Sequence, residues 1–581
     1  MTTPSAPGTL PANARAAGDT ADDAAEPALP RLRPDVAVTP LRAGLHLRGR
    51  RGSVTLEGST ALPALWRLLE EPLRTGDVTE LDRRAAPGTR VREALDTLVE
   101  RLRAHDLVVS APAGHAPDWI AATAGRPADT ATALEAARVE VASGVPGDPL
   151  AKAVSRALSD AGVAWTHAVE PALPEDVVLL RETGGGRRAV AVGARGGRGY
   201  VTAPGSPEQV SSDAAALAAL RPSEPAGAGP AAFVALLGGS AAQRLLCAAG
   251  GLPDPASEGD DPRLVPGLPA ILVADARPLQ ADYRSWLGPG LIDADRRARL
   301  EPARTLAEAL GRVTALTDER VGVLPGPAPG ALRQSPVPLA SCELPDNTVL
   351  AGAARLDLAR LEAFCRAAEL RLAGPGAVRA WVGADRAHAL GRALRETAAK
   401  TFPAPSTALP EAHWREHPQA GHWWTALTGR LGTPARLEVR RLADEEAYLA
   451  VVHGGTDPAA HGPVLGDAVE ATPGDAAAFA ALSAAAAAHS ASPKLAPGHL
   501  CRANGAVAAL ATANTRPAPW EDRGWTNGWL ADLALRETAL QAVLRRLTGL
   551  RVRESADTAP ALAARLRAFG FSVLYGREED R

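Results

Sequence analysis

The sequence predicts an α/β and α+β multidomain protein: an N-terminal winged helix-turn-helix, a degenerate Rossmann-like middle domain and an α+β C-terminal region. Three observations carry this. Short alternating segments are followed by two helical stripes between residues 31 and 112. A strand–turn–helix–strand order opens near Ala137. From about Ala303, helices and extended segments mix without an internal repeat. The 581 residues exceed one ordinary domain, and a composition of 46% hydrophobic and 22% charged residues is that of a globular chain.

Met1 to Pro30 reads as a disordered tail. It is Ala/Pro/Thr-rich, holds Arg15 and four acids (Asp19, Asp22, Asp23, Glu26), and lacks the basic start and apolar run of a signal peptide. Residues 31–112 form the winged helix. Val36–Leu41, Leu45–Arg48 and Ser53–Glu57 alternate as strands, separated by turns at Gly44 and at Gly49-Arg50-Arg51-Gly52. Thr60 to Glu70 carries Leu62, Leu65, Trp66, Leu68 and Leu69 at helical spacing. Thr89 caps a second helix whose core stripe is Val91, Leu95, Leu98 and Leu102. Leu107–Val109 is a last strand. Residues 113–132, rich in Ala, Pro and Gly, read as a linker.

The middle domain spans 133–300. Arg138–Ala142 is a strand, Leu150 to Leu158 a helix ending at Gly162, and Val163–Val169 and Val177–Leu180 further strands, the start of an open parallel sheet. Ala189–Val201 gives two more strands, Ala231–Ala249 a helix and Ala270–Ala274 another strand. In the α+β region, 301–581, the helices are Leu306–Leu316, Ala354–Leu372, Ala387–Lys400, Leu533–Leu547 and Ala561–Phe569. Val337–Cys342 is extended, Ala435–Val439 and Tyr448–Val452 form a hairpin, and Leu550–Val552 and Phe571–Tyr575 are strands. Ala476–Ala488 is helical but too short and too weakly hydrophobic to span a bilayer.

Few motifs carry chemistry. The loop Ser143-Gly-Val-Pro-Gly-Asp-Pro-Leu150 sits where a dinucleotide phosphate loop would, but Pro146 and Pro149 remove donors and Asp148 places a negative charge at the helix start. His413-Trp-Arg-Glu-His417 matches an inverted zinc-protease signature, yet Pro410 and Pro418 bracket it, so an aromatic loop is expected. Cys501 beside His499 is a poor nucleophile candidate in a Pro/Gly-rich loop. The four cysteines hold no C-x-x-C pair, so neither a disulfide framework nor a cysteine zinc site is expected, and a cytoplasmic location fits.

The winged helix offers a binding face instead. Ser53–Glu57, the last of three strands, is a candidate edge, and Val99 extends the apolar surface of the second helix between Arg92 and Arg103. An edge strand beside such a helix suits strand addition by an extended peptide. Residues 31–110 hold 14 Arg against 11 acids, a net of +3, which favours an acidic, apolar peptide over DNA.

Arg31–Val36 and Ser53–Gly58 resemble the leader-peptide-binding domain, or RiPP recognition element, of peptide natural-product pathways. The chain beyond this domain resembles the ocin-ThiF-like partner proteins of azoline-forming cyclodehydratases of thiopeptide and related pathways. Val141–Gly144 with its helix is similar to their first βαβ unit, and Tyr200–Gly205 to their "GPLV-x-PG" stretch. Leu316–Leu324 resembles the opening of a YcaO-type fold. Ser206-Pro207-Glu208 stands where family members often carry a zinc-binding pair. YcaO enzymes hold ATP and Mg through a helix with spaced glutamates, whereas here that helix has only Glu362 and Glu369, with Arg366 between them, so ATP hydrolysis by this chain is not expected.

The resemblance implies a non-catalytic subunit with no cofactor or metal of its own, neither nucleic acid nor membrane as partner, and a hetero-oligomer with a YcaO-type cyclodehydratase that uses ATP and Mg. The peptide-binding residues it implies are Ser53, Val54, Thr55, Leu56, Glu57, Arg92, Val99 and Arg103. Two alternatives stay open: a self-sufficient nucleotide-dependent peptide-modifying enzyme, and a winged-helix DNA-binding regulator.

Overall fold

The computed structural model describes residues 30–50, 52–110, 118–183, 187–220, 229–257, 261–289, 300–373, 379–402, 408–455, 462–490, 499–513, 525–554 and 561–576. The expected tail, residues 1–29, and Arg51 of the wing turn lie outside them. The chain is a mixed α/β protein in two compact units, residues 1–137 with 249–252, and residues 138–248 with 253–581.

In the first unit, β1 (Pro30–Leu32) pairs with β5 (Val108–Ser110), while β2 (Ala37–Leu41), β3 (Gly44–Arg48) and β4 (Ser53–Glu57) form an antiparallel sheet in that order. Helices α1 (Leu62–Thr75), α2 (Val78–Arg84) and α3 (Arg90–Ala104) follow β4. Thr89 caps α3 as expected, its Oγ1 accepting the Arg92 N–H at 3.3 Å. Asp77 caps α2 in the same way, accepting from Glu80 N–H at 3.1 Å. The inner faces of sheet and helices close one core around Leu45, Leu47, Val54, Trp66, Leu69, Leu95 and Leu102.

The stretch expected as a linker holds two helices where it is described, α4 (Asp118–Thr123) and α5 (Pro127–Ala136). Arg33 ties the first of them to the chain beside β1. Its side chain is 1% exposed and donates to Ala121 O and Ala124 O, both at 2.8 Å, and to Asp106 O at 2.8 Å and its Oδ1 at 2.6 Å. A buried guanidinium is costly unless its donors are satisfied, so these bonds tie the end of α4 to the segment that follows β1.

The second unit opens on a seven-stranded sheet ordered Leu279–Ser285, Ala270–Ala276, Arg198–Val201, Ala189–Arg195, Val177–Glu182, Arg138–Ser143, Ala164–Val169. The expected parallel sheet does not continue. Only Arg138–Ser143 and Ala164–Val169 run parallel, joined across the helix Pro149–Asp160; every other neighbouring pair in this sheet is antiparallel. Short connections account for the hairpin pairs among these. A parallel return needs a crossover of a dozen or more residues. The two residues Gly196 and Gly197, both at positive φ (60° and 81°), suffice only for a hairpin.

Beyond residue 300 most expected elements are present with small shifts, the helix expected at Leu533–Leu547 begins already at Trp525, the strand expected at Leu550–Val552 is Val552–Arg553, and the hairpin Ala435–Arg441/Tyr448–Gly454 gains a third strand, Val464–Glu470. The alanine-rich segment is a core helix, Pro473–Ser490, with Ala476 to Leu482 all buried. Small side chains let strands lie close to it. A Cβ on Gly466 would meet Ala484 N at 2.5 Å, and one on Gly352 would meet Ala486 Cβ at 2.3 Å. The helix Ala231–Ala249 is long and apolar enough to cross a membrane by length and composition alone, and 56% of it is buried in the fold.

Candidate functional site: an open strand edge on the winged helix

The ladder between β3 and β4 fixes which backbone groups of β4 are spoken for. Gly49 N–H donates to Gly52 O at 2.9 Å, and Gly58 N–H donates to Ala43 O at 3.2 Å. Hydrogen-bonded and non-bonded pairs alternate between these points, which assigns the bonded pairs to Leu47/Val54 and Leu45/Leu56. The N–H and C=O groups of Ser53, Thr55 and Glu57 therefore point away from β3. Among the described residues no strand pairs with that side. The side chains divide by the strand's period of two. Val54 is buried and Leu56 half-buried in the core, while Ser53, Thr55 and Glu57 are exposed on the opposite face.

The helix supplies less apolar surface than its sequence promises. Leu95, Leu98, Val99 and Leu102 make the buried stripe, an i, i+3, i+4, i+7 set. Val91, expected inside, is 43% exposed, and Val99, expected to widen the exposed surface, is 9% exposed and belongs to the core. The stripe starts one turn later than expected because Val91 lies in the first turn, next to the Thr89 cap. Val99 thus supports the floor beneath Val54 and is not a surface contact.

The two arginines differ. Arg92 donates from Nε to Asp96 at 2.9 Å and also pairs with Asp82 of α2; the Asp82 hydrogen bond, working against burial, raises its pKa above the ordinary value. Arg103 is exposed and pairs only locally with Glu100. The end of its helix lies near the start of β4: a Cβ on Gly52 would meet His105 O at 2.4 Å. Arg103→Glu is expected to leave thermal melting unchanged while weakening peptide capture. Arg92→Glu is expected to destabilise the domain by about 1–2 kcal/mol by repelling Asp82 and Asp96. Melting curves of the two variants check this; equal melting points would remove the structural role of Arg92. Sequence reasoning missed α2 and Asp82, although Asp77-Val78-Thr79-Glu80 is a readable cap signal.

The other sequence candidates have structural explanations. The backbone of Leu173 closes over Gly144, where a Cβ would meet its carbonyl oxygen at 2.5 Å, and Asp148 caps the helix through Ala151 N–H at 2.8 Å. Ser206 caps the helix Pro207–Ala219, accepting from Gln209 N–H at 3.2 Å. His413 lies on the short helix Ala412–Arg415 and His417 just before the next, Pro418–Thr425, in place of the aromatic loop expected. His417 caps Pro418–Thr425 and faces Asp475 at 3.5 Å, and Trp414 and Trp423 are core residues. Burial pushes the Cys501 thiol well above its ordinary pKa, which removes it as a nucleophile at neutral pH.

Glu362 and Glu369 are both buried, on one helix, Leu356–Leu372. Arg392 pairs with both, at 3.0 Å from Nε to Glu362 and more closely to Glu369, and His388 lies 3.1 Å from Glu362. Burial acts to raise the Glu362 pKa, and Arg392 and His388 overcome it, holding the carboxyl down to about 2. Carboxylates neutralised in this way do not fit a divalent cation. No group of three metal-ligating side chains occurs among the described residues.

No family model matches the chain, and no curated protein matches it. Among solved structures it is similar to a heterocyclase in complex with substrate and cofactor, at 13% identity and a TM-score of 0.48, over 94% of each chain. It is also similar to the heterocyclase TruD, at 12% identity and a TM-score of 0.47, over 95% of this chain and 94% of that one. At such identity neither likeness assigns a role to any residue.

Proposed function

We propose that this chain is a non-catalytic, leader-peptide-binding subunit. It captures the leader of a ribosomal precursor peptide and recruits it to a YcaO-type, ATP-dependent cyclodehydratase that forms azolines, as in thiopeptide-like biosynthesis. The observation that carries the reading is the open edge of β4, where Ser53, Thr55 and Glu57 present their main-chain donors and acceptors. An extended leader adds there as a fourth strand, gaining main-chain hydrogen bonds, with Arg103 at one end to meet an acidic side chain. The resemblance of Arg31–Val36 and Ser53–Gly58 to leader-binding domains supports the same reading. So does the pairing of Glu362 and Glu369 with arginine, which leaves ATP and Mg to the partner enzyme.

The role is physical recruitment. Holding the leader raises the effective concentration of the core peptide at the partner's active site without any chemistry by this chain. The assembly is a cytoplasmic hetero-oligomer with neither nucleic acid nor membrane as partner. The test is fluorescence anisotropy of a labelled leader, taken from the short reading frame beside this gene, titrated with the full chain. Saturable binding that a scrambled leader loses is the expected result. Failure to bind sinks the reading. Steady phosphate release from ATP by the chain alone, in the presence of the precursor, overturns its non-catalytic part in favour of a self-sufficient enzyme.

A further inference from the structure

The seven-stranded sheet of the second unit has two edges, and they are built differently. At one edge, Leu279–Ser285 carries Asp282 and Arg284, which pair with Arg263 at 3.2 Å and with Asp318 at 2.9 Å. Engaged charges of this kind keep a strand edge from pairing with another chain. The other edge, Ala164–Val169, has none of them. Its sequence, Ala-Trp-Thr-His-Ala-Val, holds no Lys, Arg, Asp, Glu or Pro, and every residue except Ala168 is exposed. Trp165 and Val169, at 38% and 44% exposed, stand on one face of the strand.

The parallel ladder to Arg138–Ser143 fixes which backbone groups of this edge strand are used. Glu170 N–H donates to Ser143 O at 2.9 Å, and Ser143 is level with Val169. Alternate residues of a strand bond to a given neighbour, so Ala164, Thr166 and Ala168 bond inward. Trp165, His167 and Val169 point their N–H and C=O groups outward. Among the described residues no strand pairs with that side.

These three residues are complementary to a second copy of themselves. An antiparallel pairing about a two-fold axis through His167 sets Trp165 opposite the copy's Val169, and His167 opposite its own equivalent. Every outward residue then enters a hydrogen-bonded pair, and each such pair exchanges two main-chain bonds. The Trp–Val pair joins an aromatic to a β-branched side chain, a favoured cross-strand combination, and no like charges are opposed. A shift by one residue sets outward groups against residues that bond inward. A shift by two leaves Trp165 or Val169 without its partner.

We propose that this edge joins two copies of the chain into a two-fold dimer with one continuous sheet. The same patch serves both copies, so the assembly closes at two. Sedimentation of the full chain from about 0.1 to 100 μM tests this, with twice the chain mass expected at the upper end and monomer gaining toward the lower. W165K/V169K sets lysine against lysine at both ends of the pairing and is expected to weaken the dimer by at least about tenfold. W165E/V169E sets glutamate against glutamate and is expected to do the same. Both keep the core, because the replaced side chains are exposed and the Trp165 hydrogen bond to Ser159, at 2.9 Å, lies on the surface. Mixed in equal amounts, the two variants set lysine against glutamate and are expected to regain the dimer, which an unfolded variant could not do. The proposal fails if the parent is monomeric throughout, if either variant alone is as dimeric as the parent, or if the mixture stays monomeric. A monomeric parent whose complex with the cyclodehydratase is lost in W165K/V169K assigns the edge to that enzyme and likewise overturns the proposal. Leader capture is read at β4 in a separate titration, so the two readings stand or fall independently.

Discussion

Arg395→Met is expected to be the most destabilising single change outside the apolar core, at about 3–5 kcal/mol. Arg395 sits on the helix Arg386–Thr401 with its side chain 5% exposed, between Glu470 (1%) and Glu537 (8%). It makes two hydrogen bonds to each carboxylate, 2.9 and 2.8 Å to Glu470 and 2.8 and 2.6 Å to Glu537. Methionine fills similar space but leaves two buried carboxylates without their shared counter-charge. Gly505 N–H at 2.8 Å from Glu470 and Gln541 at 2.7 Å from Glu537 satisfy single oxygens only. Burial already acts to raise the pKa of both carboxyls, so loss of Arg395 drives them toward protonation. The triple variant R395M/E470Q/E537Q removes the stranded charges and is expected to recover much of the loss. Urea unfolding of the two variants checks this. An R395M midpoint equal to that of the parent would show that the triad contributes no net stability.

Thr55→Pro is expected to weaken leader capture strongly while leaving the N-terminal unit folded. The Thr55 N–H points to the open edge and not to β3, so proline removes no bond of the existing ladder. Its ring denies an incoming strand one donor at the middle of β4 and obstructs its approach. The expected loss in leader affinity is about tenfold to a hundredfold. The exposed contact between Thr55 Oγ1 and His46 Nδ1, at 2.8 Å, is lost as well, and Thr55→Ala controls for it with affinity near the parent's. Leu56→Pro is the opposite case. It breaks a bond to Leu45 and disturbs the core, so it is expected to unfold the domain. Parent-like binding by Thr55→Pro in the anisotropy titration would rule out strand addition at this edge.

The strand Ser53–Glu57 was legible because its evidence is local. Ser53–Glu57 alternates with a period of two, the flanking glycines mark its ends, and the strand in the fold has the same boundaries. The composition of the adjoining helix was legible too, but not its rotation. Val91 and Val99 are eight residues apart, and a stripe through either satisfies helical spacing. Which one enters the core depends on where α1 and the sheet stand. The parallel sheet failed for a related reason: each strand was readable by itself, whereas its direction is set by connection length and partner.

The sequence by itself determined the strand Ser53–Glu57, the caps at Thr89 and Asp148, and the absence of a C-x-x-C pair, since each is written in residues within a turn or two of one another. Tertiary structure alone decided that Arg33 fastens α4 and that Arg392 and Arg395 neutralise four buried glutamates. Arg395 and Glu537 are 142 residues apart, and Arg33 and Ala124 are 91 apart. Spacing along a chain carries no record of such partners. They meet because a buried charge must find its counter-charge wherever the packed helices and strands bring one within reach.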